Sequence, residues 1–312
     1  MTLHGATTFR DTVVVVISWI SVGVDTSQTS LDALTWSLGL AKESGANVRA
    51  VTTWERSLVR GLRQLVTGTP SEVDRSRQSR EHITAALEQA HITTDVETVV
   101  LNAAPGPALA AESERADLLV IGRTGRGFGR TEQLIVGSVA RYCMHFARGH
   151  VAVVPRKAVW NRAPTVVVGI DGSANSIDAL KWAIDNMPAA ATICAVRAET
   201  PTFGDAVRTN TDSFQEMMAS ANRELQRNID EATTSTTART SAIIAHVEAG
   251  GARDVLLRPE LGADLIVVGT HDRTGAIATL LGSVPGHVAR HATCPVVIVR
   301  PQGSSNGMER DQ

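Results

Sequence analysis

The chain is written twice, and this repetition limits its fold more than any other property of its 312 residues. VGVDTSQTSLDALTW at 22–36 returns as VGIDGSANSIDALKW at 168–182, so that Asp25 recurs as Asp171. ADLLVIG at 116–122 returns as ADLIVVG at 263–269, and Gly137-Ser138-Val139 returns as Gly282-Ser283-Val284. The offset between copies drops from 147 to 145 over the last two pairs, so the loop between them is two residues longer in the first copy. Any fold for this chain must be a unit of roughly 150 residues, a common domain size, that can be built twice.

Within each copy, short aliphatic runs alternate with helical stretches. In the first copy, strands are predicted at Val13 to Val24, Val48 to Thr53, Val96 to Leu101, Leu118 to Ile121 and Val151 to Val154. Thr29 to Ser44 is an amphipathic helix with Leu31, Leu34 and Leu38 on one face. Thr69-Pro70-Ser71-Glu72 begins a helix running to Ala90, with Thr as cap and Pro at the first helical position. Pro107 to Arg115 and Ser138 to Ala147 are the other helices. Pro155 to Pro164 lacks periodicity and reads as a linker.

The second copy repeats the order. Strands are predicted at Val166 to Ile170, Ile193 to Arg197, Ser241 to Val247, Leu265 to Val268 and Val296 to Val299. Helices are predicted at Asn175 to Asn186, Asp212 to Thr233, Ala252 to Glu260 and after Ser283. The domains are therefore set at 13–155 and 164–301, with a disordered tail beyond Pro301. Such alternation with right-handed crossovers yields α/β architecture: two tandem, doubly wound, five-stranded parallel sheets.

The stretch that these elements present is DLLVIGRTGRGFGRTEQLIVGSV, from Asp117 to Val139. A buried strand ends in Gly122, and Gly125, Gly127 and Gly129 follow closely. Glycines there let backbone approach a ligand. Gly137 and Ser138 then open a helix, whose free N–H groups attract anions. Strand, glycine loop and helix mouth make a phosphate cradle, although a tight structural connection would look similar. It is neither a Walker loop nor a dinucleotide fingerprint, since the spacing fits neither. In a 3-2-1-4-5 strand order, Asp25 and Gly122 meet at one crevice beyond the strand tips, where such sheets bind ligands.

Composition removes other classes. Hydrophobic residues make up 43% and aromatics 4%, so aliphatic side chains must fill the interior, as in parallel sheets. A net charge of −2 gives no electrostatic reason to expect nucleic acid or an anionic membrane. Cys143, Cys194 and Cys294 are too scattered for a disulfide or zinc framework, which points to a reducing cytoplasm. Val13 to Val24 is too short to span a bilayer and lacks a cleavage pattern. No paired nucleophile and base is evident, so an efficient enzyme is not expected.

Both copies resemble the universal stress protein family, over about residues 13 to 301, in its tandem two-domain form. The resemblance implies a flavodoxin-like or Rossmann-like sheet of order 3-2-1-4-5 and a nucleotide ligand: ATP ahead of AMP or ADP, with or without Mg2+. It also implies a regulator of stress adaptation or growth arrest, with at most slow ATP hydrolysis. In the first half, Gly23, Val24 and Asp25 match the segment that meets adenine and ribose, and Thr53 stands where a second-strand residue reaches the base. Gly122, Gly125, Gly137, Ser138 and Val139 match the phosphate motif, with Gly127 as an added loop glycine. Eleven residues separate Gly125 from Gly137 where the family has nine.

In the second half Gly169, Ile170, Asp171, Ala198, Gly269, Gly282, Ser283 and Val284 match, and Gly275 lies in the loop. Position 272 is Asp where the motif has glycine. That carboxylate either repels a phosphate by roughly 4 kcal/mol at close approach or helps to hold a divalent cation on it. Two readings compete with a nucleotide-binding regulator. One is a nucleotide-free interaction module with an unknown protein partner; the other is an ATP-using nucleotidyl-transfer enzyme, whose signature motifs are absent.

Simpler roles exist for several of these residues. Asp25 and Asp171 could be helix caps, and Arg123, Arg126 and Arg130 either grip phosphates or are solvated. His287 and His291 have metal-ligand spacing but no third ligand nearby. Trp36 and Trp182 are expected to pack on the sheet. The terminal strands Val151 to Val154 and Val296 to Val299 are candidates for edge-to-edge pairing, between the halves or in a homodimer.

Overall fold

The computed structural model describes residues 17–54, 72–89, 92, 96–125, 135–200, 211–234, 242–270 and 282–301. The first half runs β1 (Trp19–Gly23), α1 (Gln28–Ser44), β2 (Asn47–Trp54), α2 (Glu72–Gln89), β3 (Glu97–Asn102), α3 (Pro105–Glu112), β4 (Leu118–Gly122), α4 (Ser138–Phe146) and β5 (His150–Val154). The second runs β6 (Thr165–Gly169), α5 (Ala174–Asn186), β7 (Thr192–Glu199), α6 (Thr211–Thr234), β8 (Ala242–Ala249), α7 (Ala252–Val255), β9 (Leu265–Gly269), α8 (Ser283–His291) and β10 (Val296–Val299).

Each half has the expected parallel order, but the two sheets are one. The order is β3-β2-β1-β4-β5-β10-β9-β6-β7-β8, with β5 and β10 antiparallel and Val297 opposite Ala152. The two predicted edges thus pair with each other inside the chain. They are not available for a homodimer, and the outer edges are β3 and β8.

Two apolar layers follow from the two-residue period of the strands. Leu118 and Val120 face the layer holding Leu34 and Trp36 of α1 and Leu180 and Trp182 of α5. Leu119 and Ile121 face the other, with Leu109 of α3, Cys143 of α4, Leu256 and Val288 of α8. Each layer runs through both halves without a break. Trp36 and Trp182 are buried in it, as expected.

Among the boundaries that differ from the sequence reading, three have a plain physical cause. Strand β1 begins at Trp19 because the N–H groups before it are given to side chains: Ile17 to Asn186 Oδ1 at 2.8 Å and Ser18 to Asp117 Oδ2 at 2.8 Å. Residues 13–16 lie outside the described residues. Helix α3 begins at Pro105, not Pro107, since proline at the first position loses no needed hydrogen bond. The predicted helix from Ala252 to Glu260 is only α7 plus a 3-10 turn at Pro259–Leu261. Arg258 before Pro259 is extended, as a residue preceding proline prefers, and Gly262 ends the turn at φ 58°. The Thr69-Pro70-Ser71 cap and the tail beyond Pro301 also lie outside the described residues.

The linker is anchored to α1. Trp160 stacks edge-on against Trp36 at 5.7 Å, and Lys157 N–H donates to Asp32 Oδ2 at 2.8 Å. Gly39 makes room for it, since a Cβ there would come within 2.6 Å of Trp160 Cγ.

At the seam, Arg300 N–H donates to His150 Nδ1 at 3.1 Å, and Arg300 Nη2 donates to the Met144 carbonyl at 2.5 Å. His150 is buried, and burial pushes its pKa down to about 4. The unfolded imidazole titrates near 6.5, so between those values the unfolded chain binds more protons. Stability is therefore expected to fall by about 3 kcal/mol as pH drops from 6.5 to 4. Thermal melts across this range should show the loss in the wild type, and His150→Asn should flatten it.

Candidate functional site

Where the strand order reverses, between β1 and β4 and again between β6 and β9, two clefts open beyond the strand tips. The first, about 250 Å3, is lined by Gly23, Val24, Asp25, Thr53, Gly122, Gly125, Gly137, Ser138 and Val139 among others. The second, about 610 Å3, is lined by Gly169, Ile170, Asp171, Ala198, Gly269, Gly282, Ser283 and Val284 among others. The fold thus brings together nearly every predicted site residue. Gly127, Gly275 and Asp272 lie outside the described residues, as do Gly129, Arg126 and Arg130.

The walls are built alike. Val24 N–H donates to the Val51 carbonyl at 2.9 Å and Ile170 N–H to that of Val196 at 2.8 Å, extending each β-ladder one residue past its strand. Leu109 and Leu256 form matching floors, and a Cβ on Gly23 or Gly169 would stand 2.8 Å or 3.0 Å from them.

The aspartates are not the helix caps. Ser27 and Ser173 cap α1 and α5, accepting from Ser30 and Ser176 N–H at 3.3 Å each. Asp25 Oδ1 accepts from the Ser27 hydroxyl at 2.6 Å and from its N–H at 3.0 Å. Asp171 Oδ1 does the same with Ser173 at 2.6 Å and 2.9 Å. One carboxylate oxygen therefore fixes the cap. The other, Asp25 Oδ2, lies 3.0 Å from where a Cβ on Gly125 would stand, at the cleft wall.

Gly122 and Gly269 serve packing. A Cβ on Gly122 would lie 3.0 Å from the Thr29 backbone, and one on Gly269 would lie 2.6 Å from the Asn175 carbonyl carbon. These glycines let α1 and α5 start directly against a neighbouring strand.

Each cleft has a second helix at its mouth. Gly137 and Gly282 stand at the caps of α4 and α8, with no side-chain hydrogen bond to the helix. The first N–H groups of such helices have no intrahelical partner and carry partial positive charge. The copies differ at the third helical residue: α4 has Ala140, whereas α8 has Pro285, which has no N–H to offer.

Arg123 takes neither predicted role. It is 8% exposed and turns away from the first cleft, its Nη1 donating to the Ala292 carbonyl at 2.6 Å and the Arg290 carbonyl at 3.3 Å, at the end of α8. No local sequence pattern signals this; only its lack of an arginine counterpart, Thr270, marks the position as unlike the repeat. The thiols of Cys143 and Cys294 are pushed up to about 12 by burial, which leaves them without thiolate chemistry at neutral pH. His287 and His291 stack at 4.1 Å, and His291 Nδ1 sits 2.9 Å from the His287 carbonyl. Among the described residues no helix is long and apolar enough to cross a membrane.

The model of the Universal stress protein family matches residues 19–155 and again 163–300. A universal stress protein of Mycolicibacterium smegmatis is 27% identical over 306 residues, spanning 91% of this chain and 97% of its own length. Among solved structures, a universal stress protein from Archaeoglobus fulgidus has TM-score 0.59 and 17% identity, covering 90% of this chain and 98% of its own. A protein from Pseudomonas aeruginosa described as functionally unknown has TM-score 0.60 and 16% identity, covering 91% and 93%. At those identities the structures establish a shared fold.

The packing role of the strand-tip glycines has a direct consequence. Gly269→Ala is expected to destabilise by about 1–3 kcal/mol, the range for overpacking a tight contact. Gly122→Ala should cost less, because its contacts begin at 3.0 Å. Chemical denaturation midpoints of the two variants should show this ranking.

Proposed function

The chain belongs to the universal stress protein family, and from that premise we propose that it is an adenine-nucleotide-binding regulator of stress adaptation or growth arrest. The observation that carries the proposal is the duplicated cleft: twice, a carboxylate, an apolar floor and an uncapped helix mouth converge at a strand-order reversal. Adenine would lie against Leu109 or Leu256, beside Thr53 or Ala198. Asp25 or Asp171 would accept from ribose hydroxyls. The phosphates would meet the N–H groups that open α4 or α8, where a dipole and unpaired donors both favour an anion.

ATP fits this arrangement better than AMP, because its longer phosphate chain can meet more of the unpaired N–H groups that open α4 or α8. Each cleft is lined by one carboxylate among the described residues. Mg2+, which commonly takes one or two protein carboxylates together with phosphate oxygens, would arrive on the nucleotide. The second cleft, within the volume range usual for small-molecule sites, accommodates the larger ligand; the first is below it.

Denaturing the purified protein and separating the supernatant by chromatography should release adenine nucleotide. Added Mg-ATP at a hundred times Kd should stabilise the fold by about 2.7 kcal/mol. Asp171→Asn is the informative variant, since the amide oxygen still accepts from Ser173 and only the charge is removed. It should retain its melting temperature without ligand and lose most of the shift with it. A protein that carries no nucleotide and gains no stability from Mg-ATP would be an interaction module instead.

A further inference from the structure

A groove of about 510 Å3 runs between the halves, on the face that carries α4 and α8. Its lining joins Arg141 and His145 of α4, Arg253 of α7, and His287 and Arg290 of α8, with no carboxylate among the lining residues described. Among the described residues, none of the three guanidinium groups has an ion-pair or hydrogen-bond partner. Unpaired arginines crowded on one surface repel each other, and a concave wall of one sign concentrates counter-ions. Desolvation, and after it the charges of His291, Arg253 and Arg290, hold the His287 ring below the ordinary imidazole range, against an opposing pull from Asp254.

The groove is not separate from the second cleft. Gly282 and Ser283, at the N-terminus of α8, line both. A chain of phosphates that begins at this helix mouth therefore has a positively lined path outward, and that path ends against α4 of the other half.

We propose that this groove is a phosphate-chain site continuous with the second cleft, so that a nucleoside polyphosphate seated there lays its terminal phosphates against arginines from both halves. The nucleoside part of this statement rests on the function proposed above; the phosphate part does not. Arginine is the suited residue, since its planar fork takes two phosphate oxygens at once. The site uses Arg141 from the first half to complete a ligand held by the second, which gives the tandem arrangement a binding role that a single copy could not supply.

Inorganic tripolyphosphate, titrated calorimetrically into the full chain, tests the phosphate part without adenine. It should bind, and Arg141→Gln, Arg253→Gln and Arg290→Gln should each weaken it by about tenfold, the loss expected of one charge-assisted hydrogen bond. These side chains are exposed, so the variants should melt as the wild type does. The preference for ATP over AMP should shrink by a similar factor in Arg141→Gln. Absence of tripolyphosphate binding, or three variants that bind it as tightly as the wild type, overturns the site whatever ATP does. Equal affinity of the wild type for ATP and AMP overturns its continuity with the cleft. Tripolyphosphate binding that the variants lose, in a protein that binds neither nucleotide, upholds the phosphate site and removes only the nucleotide reading.

Discussion

Three antiparallel residue pairs between β5 and β10 turn two five-stranded sheets into one, and the rest of the molecule is arranged around that ladder. Each half alone would end in a strand of aliphatic residues with unpaired backbone groups, a template for aggregation. Pairing the two ends consumes both edges at once. It also aligns the helical layers, so that Val154 and Val166 belong to the same apolar cluster as Trp36 and Trp182. A single core on each face is larger than either half could bury, and burial rises with size. The price is chemical asymmetry at the seam, where His150, Arg300 and Arg123 make contacts that a perfect repeat would have to make twice.

Much of this was legible in the sequence. The repeat and the five strands per half follow from local patterns that each copy states independently, whereas the strand order that gathers Asp25 with Gly122 rested on the fold that the family resemblance implies. What stayed hidden depends on distance along the chain. The Asp117 side chain that sets the start of β1, Trp160 folding back on Gly39, and Arg123 reaching α8 join residues from 98 to 169 positions apart. Propensity and periodicity act over a few turns of chain, so they carry no information about such partners. The strand-tip glycines were found for an incomplete reason. Their spacing marks the cleft, yet at Gly122 and Gly269 it is the neighbouring helix, not a ligand, that comes too close for a Cβ.

The two halves keep one backbone plan with different interiors. In the first, buried Glu112 accepts from the Ser21 hydroxyl at 3.1 Å and from Arg49 at 3.0 Å. The aligned positions in the second half are Pro259, Val167 and Cys194. Removing such a network as a set leaves no unsatisfied group, whereas losing one member would strand a buried charge. The change is therefore expected to occur together or not at all. Pro259 also accounts for the early end of α7, and the cleft linings differ as well: Ala252 stands in the second where Pro105 stands in the first.

Arg123 brings these differences into one mechanical unit. Its backbone N–H donates to Val154 at the end of β5, its carbonyl accepts from Gly137 at the start of α4, and its side chain grips the last turn of α8. The carbonyls at a helix C-terminus carry partial negative charge, so a buried guanidinium there is stabilised by the helix whose other end faces the second cleft. A single residue thus touches the wall of one cleft and the anchored end of the helix that opens onto the other. Breaking its 2.6 Å hydrogen bond would leave a buried donor unmet, which is costly, so the end of β4 and the end of α8 are held together. The seam that solved the edge problem is, for that reason, also where the wall of the first cleft is tied to the helix that opens onto the second.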